Sequence, residues 1–329
     1  MKYESVIALL LILALSPLAA SASSEEDGKK LIDDAVTKTN IFELPSFQMN
    51  ANVRIQGQGG PRDGSYLLLW NGPDQWREEI NLPGYSEVWV GGKGVVYHKR
   101  DADFLPMRVD QLRSTLGYGP GVGRGSFLYP EPRPDERIQR VHERKMGGTK
   151  AECIEINDKE KRGREVCVDA TSGTLIRGEP FLDKDMKPIG PKVFPSFLSW
   201  SEQGKTLAEV RVTDLRPTEH LPPSSFDAPP GTVPVPGCMN PVPGRLVHGE
   251  NPVYAASDRQ AHREGTVVID MTIGRDGVPH GLMVESGIAS AMDAATMDAV
   301  KRWRYEPATC SGNAVEIETI VTVNYTLQR

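Results

Sequence analysis

Residues 265–273 read Gly-Thr-Val-Val-Ile-Asp-Met-Thr-Ile, and an Asp276-Gly277 pair follows. Side chains alternate across a pleated strand, so Val267, Ile269, Met271 and Ile273 share one face. Asp-Gly supplies the positive φ that a tight hairpin turn requires, and residues 278–286 supply the return strand. Ser290 and Asp293 stand at capping-box spacing. Met292, Ala295, Ala299 and Trp303 then recur at helical intervals, and Pro307 is expected to stop that helix. The chain ends in a long alternating strand over 314–327, with Val315, Ile317, Val321, Val323, Tyr325 and Leu327 on one face. Hairpin, helix and strand in that order predict a helix packed on one face of a small antiparallel sheet.

The remainder of the 329 residues is long enough for a second core. At the N-terminus, Lys2 precedes an apolar run over 6–15, which Ser16 and Pro17 break. Ala20-Ser21-Ala22 then fits the small-residue rule for signal cleavage, so 1–22 reads as a signal peptide. The apolar run falls short of the roughly 20 residues that span a bilayer. The mature chain would begin near Ser23 in the periplasm, the alternative being an uncleaved inner-membrane anchor. A net charge of -6 without a long basic run argues against a nucleic-acid partner.

Four cysteines in an exported chain point to two disulfides. Cys153 and Cys167 face each other if their strands pair as a hairpin centred near Glu160. Cys238 and Cys310 are then left, and their bridge would tie the linker onto the C-terminal unit. Other connectivities are open to four cysteines. A zinc site is the rival, but the chain has no Cys-x-x-Cys, and His248 and His262 are not at ligand spacing.

Along the chain, residues 25–40 read as an amphipathic helix with Leu31, Ile32, Ala35 and Val36 on its apolar side. A meander follows, with strands at 49–55, 65–70, 75–82, 87–90 and 95–99 and turns between them, 57–64 among these. Trp70, Trp76 and Trp89 read as sheet packing. A short helix is expected at 108–116. Residues 117–125 are glycine-rich but lack the Gly-Lys-Ser/Thr of a phosphate loop, and read as a surface loop. Strands resume at 137–142, 151–156, 165–169, 175–177 and 205–215, before a Pro/Gly-rich linker at 221–244. The expected fold class is α+β. An antiparallel β-rich curved sheet or half-barrel with a flanking helix occupies 23–220, and a ββαβ domain occupies 245–329.

The ordered set Gly265-Thr266-Val267, Asp276-Gly277, Ser286-Gly287, Trp303-Arg304-Tyr305-Glu306-Pro307 and Gly312 resembles the C-terminal domain of the TonB family. The resemblance implies docking to a short segment of an outer-membrane transporter or another envelope protein. An exposed edge strand can take up such a segment through backbone hydrogen bonds. The candidate surface is the last strand, with Val315, Ile317, Thr319, Val321, Val323 and Tyr325. Energy transducers of that family carry an uncleaved N-terminal helix and a long Pro-rich rod. Here a cleavable signal and a globular β domain stand in those places. A periplasmic, non-enzymatic interaction protein is therefore the leading reading, and an anchored transducer an alternative.

The N-terminal half resembles LolA/LolB-like half-barrels. The carrying features are the signal, the helix at 25–40, Tyr66-Leu67-Leu68-Leu69-Trp70, Trp76-Arg77-Glu78-Glu79-Ile80 and Val95-Val96-Tyr97. That resemblance implies a concave apolar face able to hold a lipid or acyl chain, and hence a lipid or lipoprotein carrier as a further alternative. The six histidines are scattered, and the chain contains no His-Glu-x-x-His, Gly-x-Ser-x-Gly or Ser-x-x-Lys. No acid–base or nucleophile set is positioned by the sequence, so neither catalysis nor a cofactor or metal is expected.

Overall fold

The computed structural model describes residues 17–57, 60–92, 94–102, 106–116, 132–146, 148–160, 162–176, 181–202, 204–234 and 242–327. α1 spans Pro17–Thr39 and leads into a meander of β1 (Phe47–Gly57), β2 (Gly60–Trp70), β3 (Gln75–Leu82), β4 (Tyr85–Gly92) and β5 (Val95–Arg100). α2 (Met107–Leu116) precedes β6 (Arg137–Met146), β7 (Thr149–Asn157), β8 (Gly163–Asp169) and β9 (Leu175–Ile176). Then come β10 (Phe181–Ile189), β11 (Lys192–Glu202), β12 (Lys205–Pro217) and the short β13 (Val233–Pro234). The C-terminal part holds β14 (Arg245–His248), α3 (Ala256–Gln260), β15 (Gly265–Ile273), β16 (Pro279–Ser286) and α4 (Ser290–Val300). It closes with β17 (Arg304–Glu306), β18 (Ala308–Cys310), β19 (Asn313–Val315) and β20 (Ile317–Tyr325). The class is α+β, with every strand pairing antiparallel.

The chain divides into two compact units, one of residues 1–39 with 129–177 and one of 40–128 with 178–329. In the first, β6-β7-β8-β9 form a sheet on which α1 lies. Ile32 and Ala35 of α1 are buried among Ile138, Ile154, Ile156 and Val168, with Leu31 and Val36 at the margin. These are the apolar positions of the amphipathic pattern. Cys153 stands opposite Cys167 in the β7–β8 register, and the two are joined in a disulfide. α1 begins at Pro17 rather than near residue 25, so Ala20 and Ala22 have helical backbone. The apolar run over 6–15 lies outside the described residues. No described helix is long and apolar enough to cross a membrane.

The second unit contains a nine-stranded sheet of order β10-β11-β12-β1-β2-β3-β4-β5-β13. β1 sits between β2 and β12, which joins the early meander to the late strands. One face carries Phe47, Met49, Leu68, Trp70, Trp76, Ile80, Trp89 and Val210, which form one buried cluster with Val109, Leu112 and Leu116 of α2. α2 lies against β1, β11 and β12 on the face where an acyl-chain surface was expected. The tryptophans pack in this layer, as their pattern implied.

Several local expectations change. Residues 60–64 are strand rather than turn. The β10–β11 hairpin was not anticipated, because Asp183, Lys184, Asp185, Lys187, Pro188 and Pro195 break up its apolar alternation. Much of the expected linker lies along the sheet. Arg77 donates to the Asp227 carbonyl at 3.1 Å, and Val233 and Pro234 pair with His98 and Tyr97. The glycine-rich stretch 117–125 and Cys238 lie outside the described residues. Cys310 is disulfide-bonded.

Candidate functional site

Within the second unit, the C-terminal module is a three-stranded sheet of order β16-β15-β20. Alternation on β15 sends Val267, Ile269, Met271 and Ile273 to the face covered by α4. There they pack with Met292, Val300 and Tyr325. The Tyr325 hydroxyl lies 2.8 Å from Thr296 Oγ1 and donates to the Met292 carbonyl, which fastens the end of β20 to α4. Gly277 has φ +77°, and an added Cβ would lie 1.9 Å from the Tyr305 carbonyl oxygen, so the hairpin turn and β17 touch through backbone alone.

Three details of the module differ from the sequence pattern. Asp293 accepts the Ile288 N–H at 2.9 Å, while the N-cap residue Ala289 makes no side-chain cap bond, so Ser290 closes no capping box. The helix ends at Val300, well before Pro307. Trp303 instead donates to the Glu250 carbonyl at 2.8 Å, and the residues after it pair with β14. The expected single last strand is broken in two, because Val315 pairs with Ala308 in the β18–β19 hairpin.

Ile317, Thr319, Val321, Val323 and Tyr325 lie on β20, which bonds to β15 on one side. Among the described residues no strand bonds to its other side. Ile317, Val321, Val323 and Tyr325 pack into the core beneath α4. What the open edge offers is therefore backbone N–H and C=O groups. The opposite face of β20 carries Ile320, which is 43% exposed.

The face of the module away from α4 holds a group of charges that the sequence reading missed. Asp270, in the middle of β15, is 0% exposed, and among the described residues no N–H or hydroxyl donor reaches either carboxylate oxygen. Arg108, in the first turn of α2, meets Glu285 of β16 at 2.5 Å with both side chains buried. It also donates to Gln111 at 2.6 Å. Glu318 of β20 accepts the Met107 backbone N–H, again in the first turn of α2. Burial, then the charge of Glu318 and a hydrogen bond shared with it, push Asp270 up to about 8, and Arg108 opposes them. The one available signal was that Asp270 interrupts an otherwise near-continuous apolar run, where a solvent-facing strand would show more than one charge.

Beside this group, a cleft of about 530 Å³ opens between the rim of the large sheet and the module. Arg62, Asp101, Arg275, Glu316 and Glu318 line it. Its character is polar and of mixed charge, unlike the apolar lining that holds an acyl chain.

A second buried charge group lies under α2. Arg113 is 2.6 Å from Glu87 and 3.1 Å from Glu78. Glu87 also lies 2.6 Å from His98 Nε2 and accepts from the Tyr85 hydroxyl at 2.8 Å. This network anchors α2 to β3 and β4, and so places Met107 and Arg108 against the module.

Residues 250–327 match the family model described as Gram-negative bacterial TonB protein C-terminal. The solution structure of the Pseudomonas aeruginosa TonB C-terminal domain aligns at 22% identity, covering 26% of this chain and 88% of that one, with a TM-score of 0.24. A crystal structure of a LolA superfamily protein from Nitrosomonas europaea aligns at 12% identity over 62% of this chain and 98% of that one, with a TM-score of 0.37. A 2-oxoglutarate-dependent dioxygenase of Gibberella zeae is 24% identical over 232 residues, 56% of this chain and 58% of that protein. The chain thus spans little more than half the length of that curated relative. Among the described residues the cluster of potential metal ligands is Cys153, Glu165 and Cys167, and both sulfurs are bonded to each other.

Proposed function

We propose that this is an exported, non-enzymatic protein of a Gram-negative-type cell envelope, whose C-terminal module docks an extended segment of another envelope protein. The observation that carries the reading is the edge of β20, which is bonded on one side only among the described residues. An added strand would gain a ladder of backbone hydrogen bonds along 317–325, and its side chains would take specificity from the flanking surface. The family match over 250–327 supports the same reading. With the core-facing side chains of β20 spent on packing, Ile320 and Thr322 are the residues that a docked segment would meet.

Amide exchange tests the reading, with synthetic peptides copying the periplasmic segments of outer-membrane transporters as probes. Binding should raise protection over 317–325. Protection that changes only elsewhere would remove β20 as the docking edge. Thr322→Pro, which takes one N–H from the edge, should weaken peptide binding at least several-fold while α4 keeps its protection.

A further inference from the structure

We propose that Asp270, Glu285 and Glu318 form a proton-held latch fastening the C-terminal sheet to the first turn of α2, and that loss of one shared proton opens it. The inference concerns how the module is held and stands apart from what β20 binds.

The argument begins with an imbalance. Three carboxylates from three different strands, Asp270, Glu285 and Glu318, act on one another, and Arg108 is the cation that opposes them at Asp270. That guanidinium is already engaged by Glu285 at 2.5 Å and Gln111 at 2.6 Å. Glu318 is satisfied by the Met107 backbone N–H, where the positive end of the helix dipole also favours an anion. Asp270 is 0% exposed, and among the described residues no N–H or hydroxyl donor reaches its oxygens. Its register neighbours, Met283 on β16 and Ile320 on β20, are apolar. The charged groups facing it are Glu318 from β20, Glu285 from β16 and Arg108 from α2.

An ionised carboxylate in such a place would be unpaired and desolvated, which is costly enough that the group neutralises instead. One proton shared between Asp270 and Glu318 removes a negative charge and supplies the donor that Asp270 lacks. The closed state therefore needs that proton. Glu318 also lines the open cleft, which gives the proton a path to solvent. Once it leaves, three carboxylates repel across the contact, and the cheapest relief is for the sheet to part from α2 and hydrate them.

The test is hydrogen exchange of the full chain from about pH 6 to about pH 9, each rate divided by its intrinsic value. A one-proton latch predicts that opening of 107–116 and 265–273 rises together, by about tenfold per pH unit from about pH 6 and levelling off above about pH 8, where the closed state has itself lost the proton. Peptides from β6, β7 and β8 should not follow. Asp270→Asn carries a permanent neutral donor and should hold both segments protected across the range. Should that variant fail to fold, Glu318→Gln carries the test, because removing the charge beside Asp270 must move the midpoint. Wild-type protection that does not vary with pH, an unmoved midpoint in Glu318→Gln, or parallel loss in β6–β8 would each overturn the latch.

Discussion

Arg113 on α2 and Glu87 on β4 meet at 2.6 Å with 2% and 0% of their side chains exposed. The same guanidinium also reaches Glu78 on β3, so one cation serves two buried carboxylates. Burial pushes Glu78 up despite Arg113, helped by the charge of Glu87. Glu87 holds the ionised form. Removing the cation would strand both carboxylates in the core. Arg113→Met should cost roughly 3–5 kcal/mol in chemical denaturation. A loss below about 1 kcal/mol would mean that the network does not anchor α2.

Acid should weaken the same network by a separate route. Burial alone would raise Glu87. The hydrogen bond with His98, the charge of Arg113, the Tyr85 hydrogen bond and the charge of Arg100 overcome it and hold Glu87 at about 2. A free glutamate titrates near ~4.3. A depressed folded-state pKa gives stability that is present above about 4.3 and is lost as pH falls through about 2. The melting temperature of the wild type should therefore drop more steeply in acid than that of Glu87→Gln. Parallel curves would contradict the assignment.

The Cys153–Cys167 disulfide closes a separation of 14 residues. A loop of that size contributes about 3 kcal/mol, chiefly by restricting the unfolded chain. Reduction should lower the protection of residues 151–156 and 165–168 while leaving β1 to β5 as they were, which exchange with and without reductant can measure. Equal loss in both sets would make the disulfide a global staple rather than one local to the first unit.

Tyr325→Phe removes the hydroxyl that bridges to Thr296 and to the Met292 carbonyl. Both partners are buried, so about 1 kcal/mol should be lost in a thermal or urea transition. A gain in stability would show that the ring packs better without its polar tip.

The elements that were legible in the chain are those with unbroken local pattern. β15, the turn at Asp276-Gly277 and the face shared by Ile32 and Ala35 follow from alternation or helical spacing, because each buries one face against a single partner. The Cys153–Cys167 pairing follows from hairpin register. β10 and β11 were missed because Asp183, Lys187, Pro188 and Pro195 give no alternation, and pairing with neighbouring strands overrides weak propensity. The end of α4 was misplaced for a related reason. Trp303 has helical spacing but is drawn out by the Glu250 carbonyl and by the pairing of β17 with β14. Of the candidate site, the final strand could be read from its alternation, whereas its open edge is a property of the sheet order.

Local patterning along residues 265–325 was enough to specify a small sheet with a helix on one face, since periodic burial is encoded residue by residue. The contact of Arg108 with Glu285, and of Glu318 with the Met107 N–H, could come only from the fold. Those partners lie far apart along the chain, and no short-range pattern states which charges will be brought together and which will be cut off from water. Asp270 shows in the chain only as one charge within an apolar run. The packing of α2 against the module's face away from α4 turns it into a buried acid without a donor, because desolvation depends on every neighbour at once.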